Sequence, residues 1–106
     1  MTDKVYAMIG IAGKAGKVVS GEFSTEKAIK SGKACLVILA SDASGNTRKH
    51  FSDMCHYRGI PIYTYGKKEE LGHAIGKEIR VNLAITDRGL ADSIRKRIEK
   101  TDAERE

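Results

Sequence analysis

The sequence predicts a single α/β domain, a three-layer α/β/α sandwich with one four-stranded sheet between two layers of helices. Two observations predict this class. Segments with apolar residues at helical spacing alternate with short apolar segments of strand length, and the turns between them are short and rich in glycine or small polar residues. The chain has 106 residues, enough for one core but too few for two. We expect residues 1–100 to form the domain and residues 101–106 to form a charged tail.

The N-terminal segment predicts a helix followed by a short strand. Residues 4–15 form the helix, because apolar side chains recur there at helical spacing, at Val5, Met8, Ile11 and Ala15. Residues 18–20 (VVS) are suited to a short strand at a sheet edge.

The next segment predicts a second helix and a central strand. The helix covers residues 23–31, begins near Gly21 or Ser24 and ends at Gly32. Residues 34–40 (ACLVILA) are too few and too uniformly apolar for a surface helix. They therefore predict a strand that is covered on both faces.

A third helix and a third strand follow. Residues 42–47 are rich in Ser, Gly and Asn, any of which could cap the helix that ends before Gly59. This helix is expected to direct three side chains inward: Phe51, Met54 and Cys55. Residues 60–65 (IPIYTY) predict a strand with Pro61 near its beginning, where the missing N–H costs least.

The C-terminal part predicts a short helix, a strand and a long helix. The short helix covers residues 67–75, with Leu71, Ala74 and Ile75 on one side. Residues 81–86 (VNLAIT) form the strand, and Asp87 is suited to cap a last helix with an apolar stripe at Leu90, Ile94 and Ile98. We expect the strands at 34–40, 60–65 and 81–86 to be the inner strands of the sheet.

Charge and composition narrow the classes of function. The net charge is +5, but the last eight residues carry −2, so residues 1–98 carry +7. This excess is compatible with an anionic partner, although many basic proteins of this size do not bind nucleic acid. No segment approaches the roughly 18 apolar residues of a membrane span, and the N-terminus lacks the pattern of a signal peptide. Cys35 and Cys55 lack CxxC spacing, so we expect buried thiols in a strand and a helix and a cytoplasmic location.

The glycines near the N-terminus do not form a phosphate-binding loop. Gly10 and Gly16 are six positions apart instead of five, and Val18 stands where the motif requires a hydroxyl after Lys17. No apolar strand precedes them. We interpret Gly10, Gly13 and Gly16 as structural residues that close a helix and turn into a strand.

Catalytic and metal-binding patterns are also weak. A metal site could be considered at His50, Cys55 and His56. Two of these, Cys55 and His56, are adjacent and point to different faces of a helix, and no fourth ligand is near. Asp53 and His56 are three apart, but no nucleophile accompanies them. We therefore expect no enzymatic activity, no metal and no cofactor.

The basic residues are the remaining candidates for function. On exposed helices such residues are often only solvated, yet Lys27 and Lys30 lie on neighbouring faces of a helix that opens at Gly21. A helix N-terminus offers unpaired N–H groups to a phosphate, glycine permits close approach, and the lysines add a salt-sensitive attraction. The full basic set is Lys14, Lys17, Lys27, Lys30, Lys33, Arg48, Lys49, Lys77 and Arg80.

Three motifs resemble the ribosomal protein family of the L7Ae, L30e and S12e type, over residues 5–98. The family pattern G-x-N-E-x-x-K is matched at Gly21 and Lys27, with Phe23 and Ser24 at the Asn and Glu positions. The strand pattern AxLVxxAxD and the pattern LGxAxGKxxRV are matched within residues 34–42 and 71–81. Small bacterial members of the family share VVSGE and the DAS-NT turn.

The resemblance implies a fold and a site. The fold is L30e-like with a mixed sheet, and the function is recognition of a kinked RNA, such as a kink-turn. The implied contacts, together with Lys30, are Gly21, Glu22, Phe23, Ser24, Lys27, Asp42, Lys77, Glu78, Ile79 and Arg80. Phe23 is expected either to stack on a base or to enter the core. Ile79 is expected either to contact an extruded nucleotide or to enter the core.

The resemblance also implies partners. We expect structured RNA, either ribosomal or containing a kink-turn, with the protein acting as a monomer, associated with the ribosome and not with a membrane. The alternative is a protein-interaction adaptor on the same fold. The charge of +7 on residues 1–98 argues against the adaptor.

Overall fold

The computed structural model describes residues 3–105 and contains the predicted alternation of helices and strands. The elements are α1 (Lys4–Lys14), β1 (Val18–Ser20), α2 (Glu22–Lys30), β2 (Leu36–Leu39), α3 (Gly45–Arg58), β3 (Ile62–Thr64), α4 (Lys68–Ala74), β4 (Asn82–Ile85) and α5 (Arg88–Arg105). Each corresponds to a predicted segment; β1 has the predicted bounds, and β2, β3 and β4 are shorter than predicted. Helix α5 continues through residues 101–105, and Glu106 of the predicted tail lies outside the described residues.

The four strands form one mixed sheet in the order β1-β4-β2-β3. Strand β4 is antiparallel to both of its neighbours, whereas β2 and β3 are parallel. The prediction of three inner strands is wrong for residues 60–65, because β3 lies at the sheet edge. With a partner on one side only, Ile62 and Tyr63 remain half-buried and Thr64 is exposed, whereas every residue of β2 and β4 is buried.

Helices cover both faces of the sheet, which confirms the three-layer class. Leu36 and Ile38 point to the face covered by α1, α4 and α5. Val37 and Leu39 point to the opposite face, against α2 and α3. Successive side chains of a strand alternate between the two faces of the sheet. The sequence of β2 is uniformly apolar because helices cover both faces.

Side-chain caps fix several helix starts. The Asp3 carboxylate accepts hydrogen bonds from the N–H groups of Val5 and Tyr6 at 2.8 and 3.1 Å. Ser44 caps α3, and Asp87 accepts from the Leu90 N–H at 2.9 Å, as its position predicted. Such caps satisfy donors that a helix cannot pair internally.

The N-terminal glycines have structural roles. A Cβ at Gly10 would lie 3.0 Å from the Ala74 carbonyl oxygen, so this glycine lets α1 approach α4 closely.

The two cysteines differ in burial. Cys55 is buried, which raises its pKa to about 11. Cys35 is half-buried and lies just before β2, not within it.

Within residues 3–105, no three His, Cys, Asp or Glu side chains are grouped so as to hold a metal ion. No helix of that part combines the length and apolar character of a membrane span.

Candidate nucleic-acid interface

Helix α2 begins at a glycine whose backbone other residues rarely adopt. Gly21 has φ of 90° and ψ of 157°, and its N–H donates to the Asn82 carbonyl at 3.2 Å. A Cβ at Gly21 would have no atom within 4 Å. Among the described residues no side chain caps α2, so its first N–H groups remain available to an anion.

The loop after α4, residues 77–80, packs directly on that helix. The Lys77 N–H donates to the Gly72 carbonyl at 2.8 Å, and the Arg80 N–H donates to the Lys68 carbonyl at 2.9 Å. A Cβ at Gly72 would lie only 2.6 Å from the Glu78 carbonyl oxygen. Gly72 is therefore required for the close contact that positions the loop.

Arg80 joins this loop to the start of α2. Its Nε donates to Ser20 Oγ at 2.9 Å, and its Nη1 donates to the Ile79 carbonyl at 2.6 Å. The resulting hollow of about 390 Å³, which we call the α2–loop surface, is lined by Ser20, Gly21, Glu22, Thr47, Ile79, Arg80, Val81 and Asn82.

The α2–loop surface unites four of the predicted site residues, Gly21, Glu22, Ile79 and Arg80. Lys77 and Glu78 line an adjoining hollow, which also contains Arg80. Residues from two segments far apart in sequence thus share one continuous surface.

Two apolar side chains of the predicted site are exposed: Ile79, which lines the α2–loop surface, and Phe23, which lines a separate hollow on α2 together with Lys27 and Lys30. Phe23 is 78% exposed and Ile79 is 47% exposed. The alternative in which either enters the core is therefore wrong. Ser24 and Lys27 are also exposed on α2.

Lys30 lies away from the α2–loop surface. It is the last residue of α2, about 13 Å from Gly21 at about 1.5 Å per residue, and its Nζ lies 3.2 Å from Glu26 Oε1. The hydrogen bond from Lys30, together with His50, lowers the pKa of Glu26. Lys27 has no ion pair within the described residues, so its charge is the more available of the two.

The acidic members of the predicted site have structural partners. Asp42 Oδ1 accepts from the Lys68 N–H at 3.0 Å and so ties the end of β2 to the start of α4. Glu22 Oε1 accepts from the Thr47 hydroxyl at 3.3 Å, which links the first turns of α2 and α3.

Asn82 belongs to the α2–loop surface but was missed by the sequence analysis. It is 1% exposed, and both atoms of its side-chain amide lack a hydrogen-bond partner among the described residues. Leaving such a group unpaired costs about 1–3 kcal/mol. The detectable signal was a polar residue at the start of an otherwise apolar strand.

The chain is similar to proteins of one family. Residues 3–95 match the model of the ribosomal protein L7Ae/L30e/S12e/Gadd45 family. The RNA-binding protein YlxQ of Bacillus subtilis is 43% identical over 89 residues, covering 84% of this chain and 89% of that protein. The large ribosomal subunit protein eL30 of Methanoregula boonei is 40% identical over 81 residues, covering 74% of this chain and 80% of eL30.

A solved structure shows the same fold. A protein of unknown function from Bacillus halodurans C superposes with a TM-score of 0.90 at 35% identity, covering 92% of this chain and 99% of that one. The sequence resemblance is therefore confirmed at the level of the family. This chain belongs to the ribosomal protein L7Ae/L30e/S12e/Gadd45 family.

Proposed function

We propose that this protein binds structured RNA and recognises a kinked element, such as a kink-turn, at the α2–loop surface. The observation that carries the proposal is the meeting of Gly21 with the loop containing Ile79 and Arg80. A kinked RNA brings phosphates and unpaired bases close together, and this surface offers groups suited to both. Glu78 lines the adjoining hollow, and Asp42 contributes by accepting from the Lys68 N–H at the start of α4, the helix that carries the loop.

Phosphates are held by backbone and cationic groups. The uncapped N-terminus of α2 presents N–H groups beside Gly21, where no side chain blocks approach. Arg80, Lys77 and Lys27 supply positive charge around it. The attraction releases counterions and therefore weakens as salt rises.

Bases are contacted by the exposed apolar side chains and by Asn82. Phe23 presents an aromatic face on which a base can stack, and Ile79 lies at the edge of the hollow. The Asn82 amide nitrogen and oxygen are buried and unpaired among the described residues, so a base would reach and satisfy them only where binding opens the hollow. These contacts would favour unpaired bases over a regular duplex.

The relatives support the partner class. YlxQ is named as an RNA-binding protein and eL30 as a protein of the large ribosomal subunit. By extension from these relatives, we propose that this chain is a non-catalytic, cytoplasmic protein. It acts as a monomer in association with the ribosome. A bound protein of this kind shifts the RNA toward its kinked state only by its difference in affinity for the two states.

Replacing Lys27 by Gln is expected to reduce the salt dependence of RNA binding. If Lys27 contacts a phosphate, the slope of log affinity against log salt falls by roughly 0.7–0.9. Lys30→Gln is the matched control, since it removes the same charge from the same helix where Glu26 already pairs it. Titrations at four salt concentrations measure both slopes, and equal slopes for Lys27→Gln and the unaltered protein would remove Lys27 from the site.

Replacing Asn82 by Leu is expected to weaken RNA binding by about tenfold, or 1.4 kcal/mol, without destabilising the protein. Removing an unpaired buried amide relieves its cost. Thr25→Val is the control, because Thr25 Oγ1 is also buried without a partner among the described residues but does not line the hollow. Binding titrations and thermal melts test the pair. Equal RNA affinity in the two variants would exclude Asn82 from base contact.

A further inference from the structure

A second basic surface lies at the opposite end of the sheet from the α2–loop surface. It is a cleft of about 780 Å³ between the loop before β2, the turn from α3 to β3, and the first two turns of α5. We call it the arginine cleft, because Arg58, Arg88 and Arg95 line it. The proposed RNA site on the α2–loop surface does not include it, and the two surfaces share no lining residue.

The charges of the arginine cleft are incompletely balanced. Asp92 is the acidic residue that lines it, and Arg95 is partly neutralised by Glu99 at 3.4 Å. Arg58 and Arg88 are exposed, and neither forms an ion pair within the described residues. Arg58 Nη1 donates to the neutral Lys30 carbonyl oxygen at 3.4 Å.

The walls of the arginine cleft suit an extended anion. Gly32 and Gly59 form exposed parts of its rim, where a Cβ would have met no atom within 4 Å. The guanidinium groups can each bind a phosphate with two parallel N–H donors. Pro61 and Tyr63 also line the cleft and add flat ring surface to it.

Distance separates this cleft from the first surface. Strand β2 begins after the cleft residues Ala34 and Cys35 and ends at Leu39, which pairs with Asn82 of the α2–loop surface. Residues 34 to 40 span roughly 20 Å at about 3.3 Å per residue. One RNA phosphate group therefore cannot occupy both positions.

We propose that the arginine cleft binds the phosphate backbone of a second RNA segment, so that the protein bridges two segments. This inference takes from the proposed function only that the partner is RNA. Arg58 and Arg88 hold the phosphates, and the first segment remains on the α2–loop surface.

The test uses the full chain and a fluorescent 12-base-pair plain RNA duplex as the probe for the cleft. Saturating unlabelled kink-turn RNA first occupies the α2–loop surface, and fluorescence anisotropy then measures duplex binding. The Arg58→Gln/Arg88→Gln variant is expected to bind the duplex at least tenfold more weakly, with the salt slope reduced by roughly 1.4–1.8 for two contacts. Its affinity for the kink-turn RNA is expected to stay within twofold.

Lys100→Gln is the matched single-charge control for Arg88→Gln. Both are exposed residues of α5, and Lys100 lies about 18 Å further along the helix at about 1.5 Å per residue. Undiminished duplex binding by the double arginine variant, or complete exclusion of the duplex by kink-turn RNA, would overturn the proposal. Repeating the titration without kink-turn RNA separates the arginine-cleft proposal from the kink-turn proposal. If the double arginine variant binds the duplex more weakly there too, the cleft is supported whether or not the protein prefers a kink-turn.

Discussion

Replacing Gly72 by Ala is expected to lower RNA affinity at least tenfold and to destabilise the fold by about 1–3 kcal/mol. The new Cβ would lie 2.6–2.8 Å from backbone atoms of Glu78 and Ile79, which cannot rotate away as a side chain would. The loop must move outward, carrying Ile79 and Arg80 away from Gly21. Titration with kink-turn RNA and chemical denaturation measure the two effects.

Gly89→Ala serves as the control for this change. A Cβ at Gly89 would make an ordinary contact of 3.5 Å with Asp87 Oδ2, and Gly89 lies on α5 outside the α2–loop surface. Its stability and RNA affinity are expected to stay close to those of the unaltered protein. If Gly72→Ala binds RNA with unchanged affinity while remaining folded, the loop is not part of the interface.

Replacing Gly21 by Ala is expected to have the second large effect. At φ of 90° and ψ of 157° this residue occupies a region that is almost exclusive to glycine, so Ala costs about 1–3 kcal/mol or forces the turn to change. A changed turn redirects the first N–H groups of α2 and places a methyl group where the RNA backbone would approach. We expect at least a tenfold loss of affinity.

Gly16→Ala separates strain from lost contact. Gly16 also has positive φ, 73°, and a Cβ there would also have open space, but it does not line the α2–loop surface. Both variants should melt at lower temperature, whereas only Gly21→Ala should lose RNA affinity beyond twofold. Equal losses of affinity from the two folded variants would argue that strain alone explains the effect.

Local patterns were sufficient to predict the layers of the fold. The apolar spacing of α1 and α5 and the uniformly apolar β2 identified helices and a doubly covered strand, because burial sets those patterns directly. The position of β3 at the sheet edge was not predicted. Its apolar residues resemble those of an inner strand, and strand order depends on tertiary packing that no local pattern contains.

The candidate site was predictable only in part. Glycines and basic residues in two motifs indicated Gly21 and the loop at 77–80, and the structure brings these together. It was not evident that Lys30 would pair with Glu26, since several side-chain arrangements are compatible with one helical spacing. Asn82 escaped notice because its importance comes from an unpaired amide in a buried place, which depends on the surrounding fold.

The most direct test of the central claim uses a kink-turn RNA with a donor and an acceptor dye on its two arms. Addition of this protein, without ATP, should raise energy transfer to a plateau that reverses when the protein is removed. Affinity should exceed that for a plain duplex of equal length by roughly a thousandfold. Equal affinity for both RNAs, with no change in energy transfer, would contradict kink recognition and favour the protein-interaction adaptor.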